Sequence, residues 1–327
     1  MKHKIGSRFP VRTAIAIGVL SAASLSCAYA APPADAAEAQ AREGWRTAIA
    51  LTEVPGEGCF HASYPSMTWN KIDCVVAPNV PFVPRRSSKQ TVGDGDDYAA
   101  EVTGLMTEAI GEFPVVKGVT SETDPDGLGA NDYSLQLNSN FMSTAACDGA
   151  TIPADCLAWQ QFVYSSGYTE AFMQYWLINY NSVCPAGWYT YENDCYTNSA
   201  AVGVPDIAIT DLEYFKLEGK AVQGGNDTLK LTTESEAYST TGSDSVVDLA
   251  TAWTESEFNV IGDGNGSEAD FNTGSEIRIR TYVYNGTTNV PTCAADAGTT
   301  GETNNLTLHT CSGKGGAHPY ITFVESN

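Results

Sequence analysis

Two stretches of this 327-residue chain set amide or carboxyl side chains among aromatic residues at the two-residue spacing of a β-strand. The first runs Ala158-Trp159-Gln160-Gln161-Phe162-Val163-Tyr164-Ser165, turns, and returns as Ala171-Phe172-Met173-Gln174-Tyr175-Trp176-Leu177-Ile178-Asn179-Tyr180, which reads as an antiparallel hairpin. Alternation places Trp159, Gln161 and Val163 on one face, and Phe172, Gln174, Trp176, Ile178 and Tyr180 on one face of the return strand. Glutamines among buried aromatics are costly unless hydrogen-bonded. They therefore either satisfy backbone groups in a buried network or line a concave cleft. The second stretch is Trp253-Thr254-Glu255-Ser256-Glu257-Phe258-Asn259-Val260, followed by a Gly/Asp/Asn turn and Ser267-Glu268-Ala269-Asp270-Phe271-Asn272. Here Glu257, Asn259 and Ile261 share one face and Ser256, Phe258 and Val260 the other; the sequence leaves open which is buried. A carboxyl enclosed by aromatics has its pKa raised by desolvation and can serve as general acid or, once ionised, as the base that activates water. A solvated, outward glutamate is the alternative.

Other chemistries have less support. A Ser-His-Asp triad would need His61, His309 or His318, and no Gly-x-Ser-x-Gly elbow accompanies them. Glu255 and Glu257 would share a strand face, as the paired carboxylates of a retaining glycosidase must. Asp94, Asp96 and Asp97, or Asp263 with Asn265 and Ser267, offer oxygen ligands for calcium, but neither group completes an EF-hand loop, and Asp/Gly turns explain both more simply. Zinc lacks a CxxC pair. No cofactor, nucleotide site or metal site is expected.

The order of a Gln-bearing strand, an aromatic strand, and a late Glu-aromatic-x-Val strand followed by Ala269-Asp270-Phe271 resembles the glutamic peptidase family, the eqolisins. The likeness spans residues 115–285. It implies a secreted acid peptidase with a lectin-like, two-sheet β-sandwich, in which a Gln/Glu dyad activates water against a peptide carbonyl. By motif, Gln161 in Gln161-Phe162-Val163-Tyr164 takes the place of the family's glutamine, and Glu257 in Glu257-Phe258-Asn259-Val260 that of its glutamate. Trp159, Gln174, Tyr175 and Trp176 would then line the substrate cleft. The chain departs from the family at Tyr133-Ser134-Leu135-Gln136-Leu137, where the family has a Trp-Val-Gly strand, and at Phe258, where it has tryptophan.

The elements that must position these residues read as β. Strands are expected near 98–106, 115–122, 133–140, 159–165, 171–180, 214–221, 228–233, 256–261, 276–284, 305–309 and 320–325, with helical turns at 245–254 and a short helix or loose segment over 31–56. Many short strands and little helix point to one all-β domain, a lectin-like β-sandwich or jelly roll. Pro78, Pro81 and Pro84, ahead of Arg85-Arg86-Ser87-Ser88-Lys89, read as an extended linker carrying a dibasic pair.

The N-terminus reads as a secretory signal over 1–30. Lys2, Lys4, Arg8 and Arg12 precede an apolar run from Ala14 to Leu25, and Ala28-Tyr29-Ala30 resembles a cleavage site. The run is shorter than the about 18 residues of a membrane anchor. The expected organisation is a signal peptide over 1–30, an N-terminal extension with a small disulfide unit and Pro-rich linker over 31–92 (a propeptide or an accessory unit), and a β-sandwich domain over 93–327. Loss of the signal takes its four basic residues and no acidic ones, leaving 13 Lys and Arg against 39 Asp and Glu, a net charge of −26. Such a surface repels nucleic acid and anionic membranes. Cys27 also leaves. The eight remaining cysteines fall into four close couples, predicting Cys59–Cys74, Cys147–Cys156, Cys184–Cys195 and Cys293–Cys311 in an exported protein, extracellular or periplasmic.

A non-catalytic module stands beside the peptidase reading. Trp188, Tyr189, Tyr191 and Tyr196 lie in or beside the Cys184–Cys195 loop, where rings could stack on a pyranose as in a lectin. The partner is accordingly a polypeptide or a glycan.

Overall fold

The strand Tyr133–Ser139 sets the pattern for the molecule. Leu135 and Leu137 point to one side, Ser134, Gln136 and Asn138 to the other, and every residue of the strand is buried. The same holds for all but the terminal residues of Leu157–Ser165, Glu170–Ile178 and Glu255–Gly262. These strands are covered on both faces, once by a second sheet and once by loop segments. This is seen in a computed structural model, which describes residues 34–85, 92–125, 127 and 129–327. The expected signal segment with Cys27, and residues 86–91 including Arg86 of the dibasic pair, lie outside the described residues.

The protein is a sandwich of antiparallel sheets. One sheet orders the strands Asp194–Asn198, Glu170–Ile178, Leu157–Ser165, Tyr133–Ser139, Glu255–Gly262 and Ala99–Glu101 side by side. The other orders Cys59–Ser63, Glu236–Ser243, Asn226–Thr232, Lys216–Lys220, Glu108–Lys117, Glu276–Tyr284 and Tyr320–Ser326. Leu135, Leu137, Phe162, Phe258 and Val260 from the first meet Phe113, Leu217, Leu229, Leu231, Ile279 and Phe323 from the second in one continuous core. The sheets approach so closely that Gly111 and Gly219 have no room for a side chain. A Cβ on Gly111 would lie 2.1 Å from the Phe258 ring, and one on Gly219 would lie 2.4 Å from the Phe162 ring. All four expected disulfides are present, each closing a short loop of 9 to 18 residues. Such staples fit an oxidising compartment.

Several elements differ from the sequence expectation. The strand expected over 115–122 lies instead at Glu108–Lys117, because the chain turns at Gly118, whose φ is +68° and whose Cβ position is taken by the Gly274 carbonyl, 2.2 Å away. Glu236–Ser243 is an interior strand despite its Ser, Thr and Gly content. The helical turns at 245–254 are two separate 3-10 turns, Asp244–Val246 and Leu249–Thr251. Asp248 in the left-handed region (φ +56°) divides them, and the Asp244 side chain accepts from the Ala250 N–H. The segment read as an N-terminal extension is built into the sandwich. Helix Ala34–Ala50 lays Trp45 and Ile49 on Phe60, Ala62, Trp69 and Ala237, and Cys59–Ser63 pairs with Glu236–Ser243.

Gly219→Ala should destabilise the fold by about 1–3 kcal/mol, since Phe162 has no room to retreat. Urea denaturation followed by tryptophan fluorescence measures this, and an unchanged midpoint would show that the sheets can separate at no cost.

Candidate functional site

The register of the first sheet sets Gln174 opposite Gln161, Gln161 opposite Asn138, and Asn138 opposite Glu257. The two residues singled out for catalysis therefore share a face and a row, two strands apart, with Asn138 between them. Gln161 is fully buried and Glu257 is 1% exposed. The row is joined by hydrogen bonds. Gln161 Nε2 donates to Gln136 Oε1 (2.9 Å), and Asn138 Nδ2 donates to Gln136 Oε1 and to Glu257 Oε2 (3.3 Å each). A distant loop closes over the glutamate: the N–H and the hydroxyl of Thr299 both donate to Glu257 Oε2, at 2.7 and 2.8 Å. Three oxygens of the row, Gln161 Oε1, Asn138 Oδ1 and Glu257 Oε1, are buried and have no hydrogen-bond partner among the described residues. Leaving a buried acceptor unpaired costs about 1–3 kcal/mol, so the row is built to receive donors.

The electrostatics are those of crowded carboxyls. Burial pushes the Glu257 pKa up, against the downward pull of hydrogen bonds from Thr299 and Asn138. Asp97 is raised well above the usual range by burial and by the nearby Glu257 and Glu325 charges, although the amide of Asn259 donates to it at 2.7 Å. Burial lifts Glu325 to about 7 and Glu302 to about 6. Glu302 accepts from Gln136 Nε2 (3.3 Å), the Thr300 hydroxyl (2.5 Å), and the N–H groups of Gly266 (3.0 Å) and Val83 (2.8 Å).

The face is also covered by the Pro-rich segment, which lies across it in extended form. Gln174 grips it twice, accepting from the Phe82 N–H (2.7 Å) and donating to the Val80 carbonyl (2.9 Å). Asn198 donates to the Pro78 carbonyl (2.9 Å). Val83 packs on Trp159, Trp176 and Tyr196, and Phe82 on Val163, Phe172 and Ala201.

Four of the expected cleft and dyad residues thus sit as alternation demands: Trp159, Gln161, Gln174 and Trp176 all look onto the covered face. Tyr175 does not. One position out of phase with Gln174 and Trp176, it points between the sheets, with its hydroxyl 3.8 Å from Met173 Sδ, and its assignment to the cleft is corrected accordingly. Gln160 likewise faces the inter-sheet side, donating to Asp227 at 3.0 Å. Gln136 and Asn138 belong to the site and carried a signal, the polar half of an alternating strand. Thr299 and Glu302 arrive from a loop and carried none; Asp97 stood out only as one of three clustered aspartates offering calcium ligands. The three histidines are dispersed. His61, His309 and His318 contact Glu236, Ser326 and Tyr284 respectively, and the Asp263 carboxylate takes the Ser165 hydroxyl (2.7 Å) and the Gly167 N–H. Among the described residues no group of three His, Cys, Asp or Glu is arranged to hold a metal, and no helix is long and apolar enough to cross a membrane. No family model, no curated protein and no solved structure matches this chain.

Carboxyls whose folded pKa lies above the unfolded value near 4.5 bind more protons in the native state between the two. Stability then falls as pH rises through that window. With Glu302 near 6 and Glu325 and Glu255 near 7, the melting temperature should be higher at pH 5 than at pH 8. A calorimetric pH series checks this; a melting temperature that climbs from pH 5 to 8 would contradict the raised carboxyls.

Proposed function

We propose that this protein is a secreted acid peptidase that activates water between Glu257 and Gln161. The observation that carries the reading is the row of unpartnered buried oxygens Gln161 Oε1, Asn138 Oδ1 and Glu257 Oε1, on one face beneath a chain segment held by its main chain. In the proposed mechanism a water sits in that row. Ionised Glu257 takes its proton as the oxygen attacks the peptide carbonyl, and the second N–H of the Gln161 amide donates to the developing oxyanion. The protonated Glu257 then gives the proton to the leaving amine. Asn138 and Thr299 hold Glu257 in place, while Trp159, Trp176 and Gln174 support the substrate backbone. Acid favours this chemistry by protonating the crowded carboxyls around Glu257, which removes the negative charges of Asp97 and Glu325 beside it.

Casein hydrolysis by the purified chain, assayed from pH 2 to 7, tests the reading. Activity should be greatest on the acid side of neutrality, rising as Glu325 (near 7) and Asp97 are protonated beside Glu257 and falling again once Glu257, the base, is itself protonated. Glu257→Gln should lower turnover by about 10²–10⁴-fold, and Gln161→Ala by about 10²–10³-fold, both in chains that still melt cooperatively at pH 5. Undiminished acid proteolysis in Glu257→Gln would remove the dyad.

One observation favours glycan binding as a second reading. Tyr189, 45% exposed, caps a ladder of rings in which Tyr196 stacks on Trp176 at 5.1 Å and Tyr189 lies 5.2 Å from Tyr196. A lectin role predicts glycan-array binding that Tyr189→Ala abolishes.

A further inference from the structure

The segment Pro78–Arg85 is held in a way that does not depend on most of its side chains. The Pro78 carbonyl takes Asn198 Nδ2, the Val80 carbonyl takes Gln174 Nε2, and the Pro81 carbonyl takes the Asn265 N–H (2.7 Å). The Phe82 N–H goes to Gln174 Oε1 and the Val83 N–H to Glu302 Oε1. The Val83 carbonyl accepts from the Gly301 N–H (2.7 Å), and the Arg85 N–H donates to the Thr299 carbonyl (2.8 Å). The prolines stand where no N–H is used, and they hold the chain extended before it binds. This is how a groove recognises a polypeptide: side-chain amides and a carboxylate of the protein read the main chain. Buried Gln174 has its carbonyl oxygen and its amide nitrogen both committed to the segment, an arrangement that packing alone does not require.

Phe82, Val83 and Pro84 are the buried residues of the segment. Phe82 is 0% exposed, in an apolar pocket formed by Val163, Phe172 and Ala201, with its ring edge-on to Phe172 at 5.7 Å. Arg85, by contrast, is exposed. Upstream, the segment is tethered where Val75–Val76 pair with Ala200–Ala201. A tether this short gives an effective concentration of about millimolar, so the segment occupies the groove even if its affinity as a free peptide is modest.

We propose that Pro78–Arg85 is an intramolecular ligand of a polypeptide-binding groove, blocking it in the intact chain, and that the groove selects extended peptides carrying a bulky apolar side chain at the Phe82 position. This rests on reading the covered face as a peptide site. It accounts for part of the seal over this face: Phe82 and Val83 pack on Val163 and Trp159, which flank Gln161 in its strand, while the Thr299 loop closes over Glu257. The segment can leave without breaking a disulfide, because Cys59–Cys74 lies wholly before it and the other three lie wholly after it.

The test uses the full chain with Phe82→Ala, which empties the pocket, and separately with Val83→Pro, which deletes the N–H donated to Glu302 and replaces the side chain packed on Trp159 and Trp176. The second keeps the test decisive if the first fails to fold. A fluorescein-labelled peptide with the sequence of residues 78–85 is titrated against each by anisotropy at pH 5, beside acid casein hydrolysis. The unsubstituted chain should bind the peptide at least about tenfold more weakly than either variant. A peptide with alanine at the Phe82 position should lose at least about tenfold in affinity for the variants. Casein hydrolysis should rise at least about tenfold in the variants. Peptide binding without hydrolysis upholds the groove and its occupant and overturns the Gln/Glu catalysis. Equal peptide binding to all three chains, or none to a variant that melts cooperatively, overturns the proposal.

Discussion

The structure depends on one constraint: the central strands of one sheet are buried on both faces, yet on one of those faces the buried side chains are polar. Ser134, Gln136, Asn138, Gln161, Gln174, Glu257 and Asn259 are each at most 1% exposed. A buried amide or carboxyl costs free energy unless its hydrogen bonds are made within the protein. The covering segments supply part of those bonds and leave Gln161 Oε1, Asn138 Oδ1 and Glu257 Oε1 without a partner among the described residues. Thr299 and Glu302 meet Glu257 and Gln136 from one side, and Phe82 and Val80 meet Gln174 from the other. The sandwich core beneath is ordinary by comparison, held by Leu, Ile, Val and Phe in alternation and by sheets brought together at Gly111 and Gly219.

The carboxyls follow from the same constraint. Glu257, Asp97 and Glu325 are mutually close and share amides rather than cations: Asn259 serves both Asp97 and Glu325, and Asn138 serves Glu257. With no basic side chain in those hydrogen bonds, desolvation raises their proton affinity, so protons do the neutralising that lysine or arginine does elsewhere. Elsewhere in the fold that solution is present: Lys230 is buried against Glu218 at 2.7 Å. A face that keeps carboxyls protonated instead is suited to acid.

The sequence made the two-residue periodicities legible, and with them the hairpin, the shared face of Trp159, Gln161, Gln174 and Trp176, and the four local disulfides. It also held the polar set of Tyr133–Ser139, which alternation exposes as soon as Leu135 and Leu137 are read as core. Tyr175 shows the cost of weighing residue type above phase, since an aromatic one step off the cleft positions belongs to the opposite face. What was not legible is what comes from far along the chain. Thr299 reaches Glu257 across 42 positions and Glu302 reaches Val83 across 219. Neither loop has a periodicity to betray it. The Pro-rich stretch reads as a solvated linker, because proline sets its extended shape but says nothing of what its carbonyls will meet.

The most direct measurement is the release of new α-amino groups from denatured casein, from pH 2 to 7, by the full chain carrying Phe82→Ala, set beside the same chain carrying Phe82→Ala and Glu257→Gln together. The expected result is hydrolysis that is faster on the acid side of neutrality than at pH 7 in the first and is lost in the second. Equal rates in both chains, or none in either while both remain folded, would contradict a peptidase built on the Gln161–Asn138–Glu257 row.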